Sequence, residues 1–357
     1  ITVVRSGWLK YAQVSGSCGM TLVRVLSPTL FSNGMSLPAL ATFLSLLSSK
    51  QFRNVARANL ITQLAVFIPM AQIPVLLTGR LTYVDLAWPS GLLAMGLVSL
   101  GRALRDLFKG ADVDGLGDRV RPVLIALAYI FQGGRMAMGA WMLFLSGHMR
   151  QEMQRYTYQR RRWAAAGISG SLAIAVELQK EAFTQCLANL GPLSVPLALQ
   201  SCVGGLGAPR AIEVLSWLLW GSSFVWEHTS DLQKLAFARD MKKKGLKKQV
   251  CDYGFWNYSR HPNYFGEWMV WVALALASIP ALQAYVAKDT RKDEPSTFSK
   301  AATAIGLCCA PLSMYVCLVH WTGATPAEFY SMQNRPDYAR YCREVNCFFP
   351  GPRRTVP

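Results

Sequence analysis

Two short stretches of this chain hold most of the side chains with the right types and spacing for chemistry. In the first, Glu227, Asp231 and Lys234 fall at i, i+4 and i+7, which puts two carboxylates and an ammonium on one helix face. The helix that carries them starts apolar, with Trp217, Leu218, Trp220 and Trp226. Acidic groups at the end of such a helix are costly unless they face water, a partner or a ligand. Taken alone, the pattern equally fits a solvated helix end with an i,i+3 ion pair. The second stretch is Gly254-Phe-Trp-Asn-Tyr-Ser-Arg260-His261-Pro262-Asn263-Tyr264-Phe265-Gly266-Glu267. Pro262 suits the first position of a helix, where its missing N–H costs nothing. The remaining free N–H groups and the positive helix end favour an anion, with Arg260 and His261 beside them. Asn263 and Glu267, at i and i+4, point an amide and a carboxylate into one space.

The elements that position these groups are apolar. The 357 residues are 52% hydrophobic and 16% charged, against about a quarter charged in soluble domains. Runs approaching or exceeding the roughly 20 residues that cross a bilayer lie at 30–47, 60–79, 83–101, 122–146, 183–203, 211–226, 268–287 and 301–320. The expected fold is all-α, a multi-pass transmembrane bundle of seven to eight helices, with 30–47 the most polar span. Most of the 37 Lys and Arg lie in the loops of one side, among them 147–182, 228–260 and the tail. That side is expected to face the untranslocated compartment and anionic lipid. Arg160-Arg161-Arg162-Trp163 reads as an anchor at the headgroups, with a phosphate-bearing ligand as the alternative. No basic module interleaved with aromatics accompanies the +17 charge, so nucleic acid is not an expected partner. Nine cysteines without a CxxC pair and four scattered histidines indicate neither a disulfide framework nor a metal site.

No Asp or Glu precedes Asp85, whereas Arg5, Lys10, Arg24, Lys50, Arg53, Arg57 and Arg80 do. A basic, acid-poor start fits an organellar import segment or an ordinary membrane-surface segment. In the tail, Glu328 precedes Arg335-Pro336-Asp337-Tyr338-Ala-Arg340-Tyr341 and Phe348-Phe349-Pro350, where Pro336 is placed to start a helix. An amphipathic interfacial helix accounts for that segment as well.

The 254–267 string closely resembles the signature of the steroid 5-alpha-reductase-like membrane family, nearest its branch known as domain of unknown function 1295. Val84-Asp85-Leu-Ala-Trp88, the Glu227 to Lys234 stretch, and Arg335-Pro336-x-Tyr338-xx-Tyr341 with Phe349-Pro350 fit the same pattern in order. The resemblance covers roughly 60–352, with a cofactor half at 211–352, and leaves 1–59 as a basic extension. It implies an NADPH-dependent reductase of a lipid-soluble enone. Asp231, Lys234, Arg260, His261, Asn263, Tyr264, Glu267 and Tyr338 would then form the cofactor site, with Arg260 and His261 near the phosphates. Asp85 and Tyr338 would be catalytic, with Gln132 and Arg135 as weaker neighbours of Asp85. Trp88-Pro89 departs from the branch's usual Ala-Trp-Gly, and the substrate-side Glu and Tyr of the steroid-reducing members have no clear counterpart. Two other readings stand beside the reductase. One is an accessory subunit of an organellar membrane complex that retains a nucleotide site, its 1–59 segment touching other chains and its small residues Ser36, Ala39, Ser45 and Ser48 allowing close approach. The other is an isoprenylcysteine carboxyl methyltransferase-like enzyme. The mitochondrial inner membrane is the preferred location over the endoplasmic reticulum.

Overall fold

The computed structural model describes residues 28–108, 116–288 and 295–355; the basic residues Arg5, Lys10 and Arg24 lie outside them. The described residues form fourteen α-helices and no strand. In order these are α1 (Pro28–Ser48), α2 (Arg53–Phe67), α3 (Ile73–Thr78), α4 (Val84–Phe108), α5 (Leu116–Leu145), α6 (Gln154–Ala165) and α7 (Ser171–Leu190). Then follow α8 (Val195–Cys202), α9 (Ala211–Lys243), α10 (Pro262–Ala277), α11 (Ile279–Ala287), α12 (Thr297–Val316), α13 (Ala324–Asn334) and α14 (Tyr338–Glu344). Pro69 and Pro74 cannot donate to the preceding turn, and a π turn over Ile68–Gln72 joins α2 to α3 there.

Among the described residues six stretches are long and apolar enough to cross a membrane: Arg53–Thr78, Leu81–Phe108, Gly117–Leu145, Ser171–Cys202, Pro262–Ala287 and Thr297–Asn334. The expected count of seven to eight included two more. Run 30–47 falls in α1, whose described apolar part is the shorter Ser36–Ser48. Run 211–226 is the first half of the 33-residue α9, which continues into charged residues. The outward side chains are greasy, with Leu76, Leu77, Met142, Leu145 and Leu172 all largely exposed. The chain is an all-α, multi-pass integral membrane protein.

The chain divides into two compact units. The first comprises 28–218 and 272–313. Its helices α4 and α5 approach closely through Gly96 and Gly133, where a Cβ would fall 2.9 Å from the Ala126 carbonyl and 2.5 Å from the Leu93 nitrogen. Ala39 and Ser45 of α1 are buried within this unit, and Ser45 bonds to Ser299. Trp163, expected at the headgroups, is 3% exposed and packs in the core with Tyr156 and Leu178. The amphipathic α6 turns Tyr156, Gln159 and Trp163 inward, so its aromatic face is spent on packing. Arg160 bonds Glu152 and the Gly79 carbonyl, which makes it an internal tie. A buried amide network follows Pro89: Asn189 donates to the Trp88 carbonyl and Gln63 to the Gly91 carbonyl, both at 3.1 Å. These bonds tie α4 to α2 and α7 on either side of Pro89.

The second unit comprises 219–271 and the tail from 314. Trp226 stacks on Phe255 at 3.8 Å between ring centroids and donates to the Pro262 carbonyl at 3.0 Å. Trp256 donates to the Ser230 carbonyl, and the Gln233 amide oxygen accepts from Phe255 N–H, both at 2.9 Å. The polar half of α9 is therefore laced to the 253–262 segment. Arg353 returns to Glu344, Asp252 and Asn257, so the tail and the 252–260 segment share one end of this unit.

Candidate functional site

Helix α10 begins at Pro262, and the hydroxyl of Ser259 accepts the His261 N–H at 3.1 Å just ahead of it. One residue into the helix, Asn263 Nδ2 donates to Asp231 Oδ1 of α9 at 3.0 Å. Asn263 Oδ1 is buried and has no hydrogen-bond partner. A carboxylate only accepts, so the amide nitrogen must face Asp231 and the acceptor oxygen is the atom left over. One turn further, Gly266 lets α10 press on α9: a Cβ there would sit 2.9 Å from Glu227 Cβ and from the Glu227 nitrogen. Glu227 and Glu267 are both buried. Lys234 Nζ lies 3.7 Å from the centroid of the Trp256 ring, in cation–π range. Tyr264 stacks on His261 with centroids 5.3 Å apart.

Arg260 faces inward. Its Nε and Nη2 donate to the two oxygens of Glu328 at 2.7 and 3.1 Å, and Nη1 donates to the carbonyls of Cys342 and Val345 at 2.9 and 2.6 Å. Burial works against the guanidinium charge, but Glu328 outweighs it and holds Arg260 above its usual range. His261 Nε2 also meets Glu328 Oε1 at 3.0 Å, while burial pushes the imidazole below its ordinary value against the pull of that carboxylate. Tyr338 is 4% exposed and packs on Tyr341. Burial, then the negative charge of Glu328, pushes the Tyr338 phenol well up, so it stays a protonated donor. His261, Glu328 and Cys347 bring their donor atoms within 4.8 Å of one another. Arg260 already occupies both Glu328 oxygens and supplies the balancing charge, which leaves a cation little to gain there.

The structure thus gathers Asp231, Lys234, Arg260, His261, Asn263, Tyr264, Glu267 and Tyr338 into the second unit. Asp85 belongs to the first. Tyr156 donates to Asp85 Oδ1 at 2.6 Å, Arg155 stands 3.6 Å away, and Asp85 Oδ2 is buried without a partner. Burial and then Asp85 push the Tyr156 phenol well up. Gln132 and Arg135 are not among the described bonding partners of Asp85.

A family model described as "Protein of unknown function (DUF1295)" matches residues 74–288. The chain belongs to that family. The DUF1295 match includes Asp85, Asp231 and the whole 254–267 signature, and it ends before the tail motif. No curated protein and no solved structure matches. Two pairings within this DUF1295 chain were not legible in the sequence, Tyr156 with Asp85 and Glu328 with Arg260. Tyr156 lies 71 residues from Asp85, and Glu328 lies 68 residues from Arg260. The one available signal for Glu328 was an acid placed next to an apolar run, where an unpaired charge is expensive.

Proposed function

We propose that this protein is a membrane reductase that uses NADPH to saturate the C=C bond of a lipid-soluble enone, in the manner of the steroid 5-alpha-reductase-like proteins. One observation carries the reading: the buried Asn263 oxygen beside Asp231, an acceptor without a donor in a position that costs about 1–3 kcal/mol to leave unsatisfied. The primary carboxamide of a nicotinamide offers the matching N–H. Asp231 orients Asn263, Glu267 lies on the same helix face one turn on, and the exposed Lys234 together with Arg335 supplies positive charge for phosphate oxygens. Arg260 and His261 are positioning residues in this reading, since their bonds to Glu328 and the tail carbonyls set the start of α10.

Bound NADPH supplies the hydride. The protein's part is to stabilise negative charge growing on the carbonyl oxygen, which a preorganised O–H donor does well. Tyr338 is the donor this reading assigns in the unit that holds the nucleotide residues; the Tyr156–Asp85 pair is a separate candidate within the other unit. A location in the mitochondrial inner membrane is preferred on the basic, acid-free run before Asp85. Contact of residues 1–59 with other chains of a complex would use the outward Leu37, Leu40 and Leu44, because Ala39 and Ser45 are spent inside the chain.

The test is the identity of the nucleotide that purified protein binds. NADPH is expected to raise its melting temperature and S-adenosylmethionine is not. Stabilisation by S-adenosylmethionine alone would replace the reductase with the methyltransferase reading.

A further inference from the structure

In the first unit a cavity of about 490 Å³ opens where α4 ends, α5 begins, α8 ends and α2 begins. Those four helix ends are also ends of the candidate spans, so the cavity sits at one membrane face. Its volume is that of an ordinary ligand site. Arg102, Arg105 and Arg119 line it. Arg102 places one bond on the Asn54 carbonyl at 3.1 Å, and among the described residues Arg105 and Arg119 make neither a hydrogen bond nor an ion pair. Asp118 also lies on the wall; its oxygens accept from Arg121, which is shared with Glu213, and from the N–H groups of Gly205 and Leu206. Asp106 is a second carboxylate on the wall.

A second observation points to a ligand. Gln200, 1% exposed, lines the same cavity and donates to the Ala277 carbonyl at 2.6 Å. Its Oε1 is buried without a partner, and so is the hydroxyl oxygen of the neighbouring Ser201. The three guanidiniums outnumber the two carboxylates, so the wall favours an anion such as a phosphate, and the Gln200 oxygen asks for a donor. An ammonium would meet the repulsion of the arginines, whereas a hydroxyl donates without adding charge. On the last turns of α4, beside the cavity, Leu104, Leu107 and Phe108 are exposed, Phe108 at 87%. Apolar side chains in that place suit acyl chains and not bulk water.

We propose that this cavity binds the headgroup of an anionic glycerophospholipid that carries both a phosphodiester and hydroxyls. Arg105 and Arg119 hold the phosphate, and Gln200 and Asp106 accept the hydroxyls. The site is independent of the reductase reading.

The experiment uses the full chain, delipidated in detergent, with melting temperature read against added ligand. Phosphatidylglycerol is expected to stabilise it, and phosphatidylcholine, glycerol 3-phosphate and inorganic phosphate are not. Arg105→Gln/Arg119→Gln should weaken the phosphatidylglycerol response about tenfold or more, and Lys247→Gln, a charge elsewhere, should leave it intact. Equal stabilisation by phosphatidylcholine, or an unchanged response in the double variant, overturns the proposal. An equal response to inorganic phosphate overturns the lipid source in favour of a free anion. If the double variant fails to fold, native mass spectra of the unaltered protein decide: retained phosphatidylglycerol that phosphatidylcholine cannot replace supports the site, and free exchange between the two refutes it.

Discussion

Asn263 and Asp231 join α10 to α9 by one bond of 3.0 Å, and that bond fixes which end of the amide is left over. Asp231 takes the nitrogen. The oxygen stays buried and unmet. An arrangement that spends half of a side chain's capacity and buries the other half is unstable on its own account, and a ligand that donates to it removes the deficit.

Asn263→Ala is therefore expected to separate binding from folding. Stability should change by less than about 1 kcal/mol, since the substitution removes a bond and an unmet acceptor together. NADPH affinity should fall by about 1–3 kcal/mol, roughly fivefold to 150-fold. Titration calorimetry alongside thermal melts measures both, and unchanged NADPH affinity would remove Asn263 from the site.

Gly266→Ala tests the close approach of α10 to Glu227. The new methyl would fall 2.9 Å from Glu227 Cβ and the Glu227 nitrogen, and overpacking of this kind costs about 1–3 kcal/mol. Gly139→Ala, on α5 with nothing within 4 Å, should be neutral or slightly stabilising because alanine is the better helix former. Equal melting temperatures for the two variants would show that the helices are not locked at Gly266.

Glu328→Gln leaves the Arg260 charge buried and uncompensated, at a cost of about 3–5 kcal/mol. The Arg260 bonds to Cys342 and Val345 should loosen with it. Limited proteolysis is expected to cut the variant in the tail first. The double variant Arg260→Met/Glu328→Leu removes both charges and should melt above the single one. A single variant as protease-resistant as the parent would deny the pair its role in holding the tail.

Acid should weaken the same corner through His261. Its folded pKa lies below the usual 6.5, with burial the main cause and Glu328 opposing it. The fold therefore favours neutral imidazole. That contribution is whole above pH 6.5 and is lost as pH falls through the lower folded value. Lys234 and Arg260 also act on the ring and oppose its protonation. Melting temperature should decline below pH 6.5 more steeply in the parent than in His261→Gln, and parallel curves would place the acid limb elsewhere.

Much of this was legible along the chain. The apolar runs marked the six spans because crossing hydrocarbon requires an uninterrupted apolar helix, a property of local sequence. Pro262 marked the start of α10, because a residue without an N–H is tolerated at a helix's first turn. The i,i+3 spacing of Asp231 and Lys234 and the i,i+4 spacing of Asn263 and Glu267 put each pair on one face for the same local reason. What neighbours those faces meet was a separate matter. Trp163 read as a headgroup anchor and is core, because amphipathicity says that a face is buried but not in what.

Arg260 shows the limit most clearly. Its type and its place before a helix start suggest a phosphate ligand, and only the fold reveals that Glu328, Cys342 and Val345 have taken its donors. A guanidinium has five N–H groups and a fixed geometry, so whether it is free depends on every acceptor within reach. Those acceptors lie 68 to 85 residues away in sequence. The sequence by itself determined that the protein lives in a membrane, that Asn263 and Glu267 stand in the opening turns of one helix, and that Asp231 lies on the polar half of another. The tertiary structure alone decided that Asp231 orients Asn263, that the Asn263 oxygen is the unmet group, and that Arg260 holds the tail, because hydrogen-bond satisfaction is settled between segments and not within them.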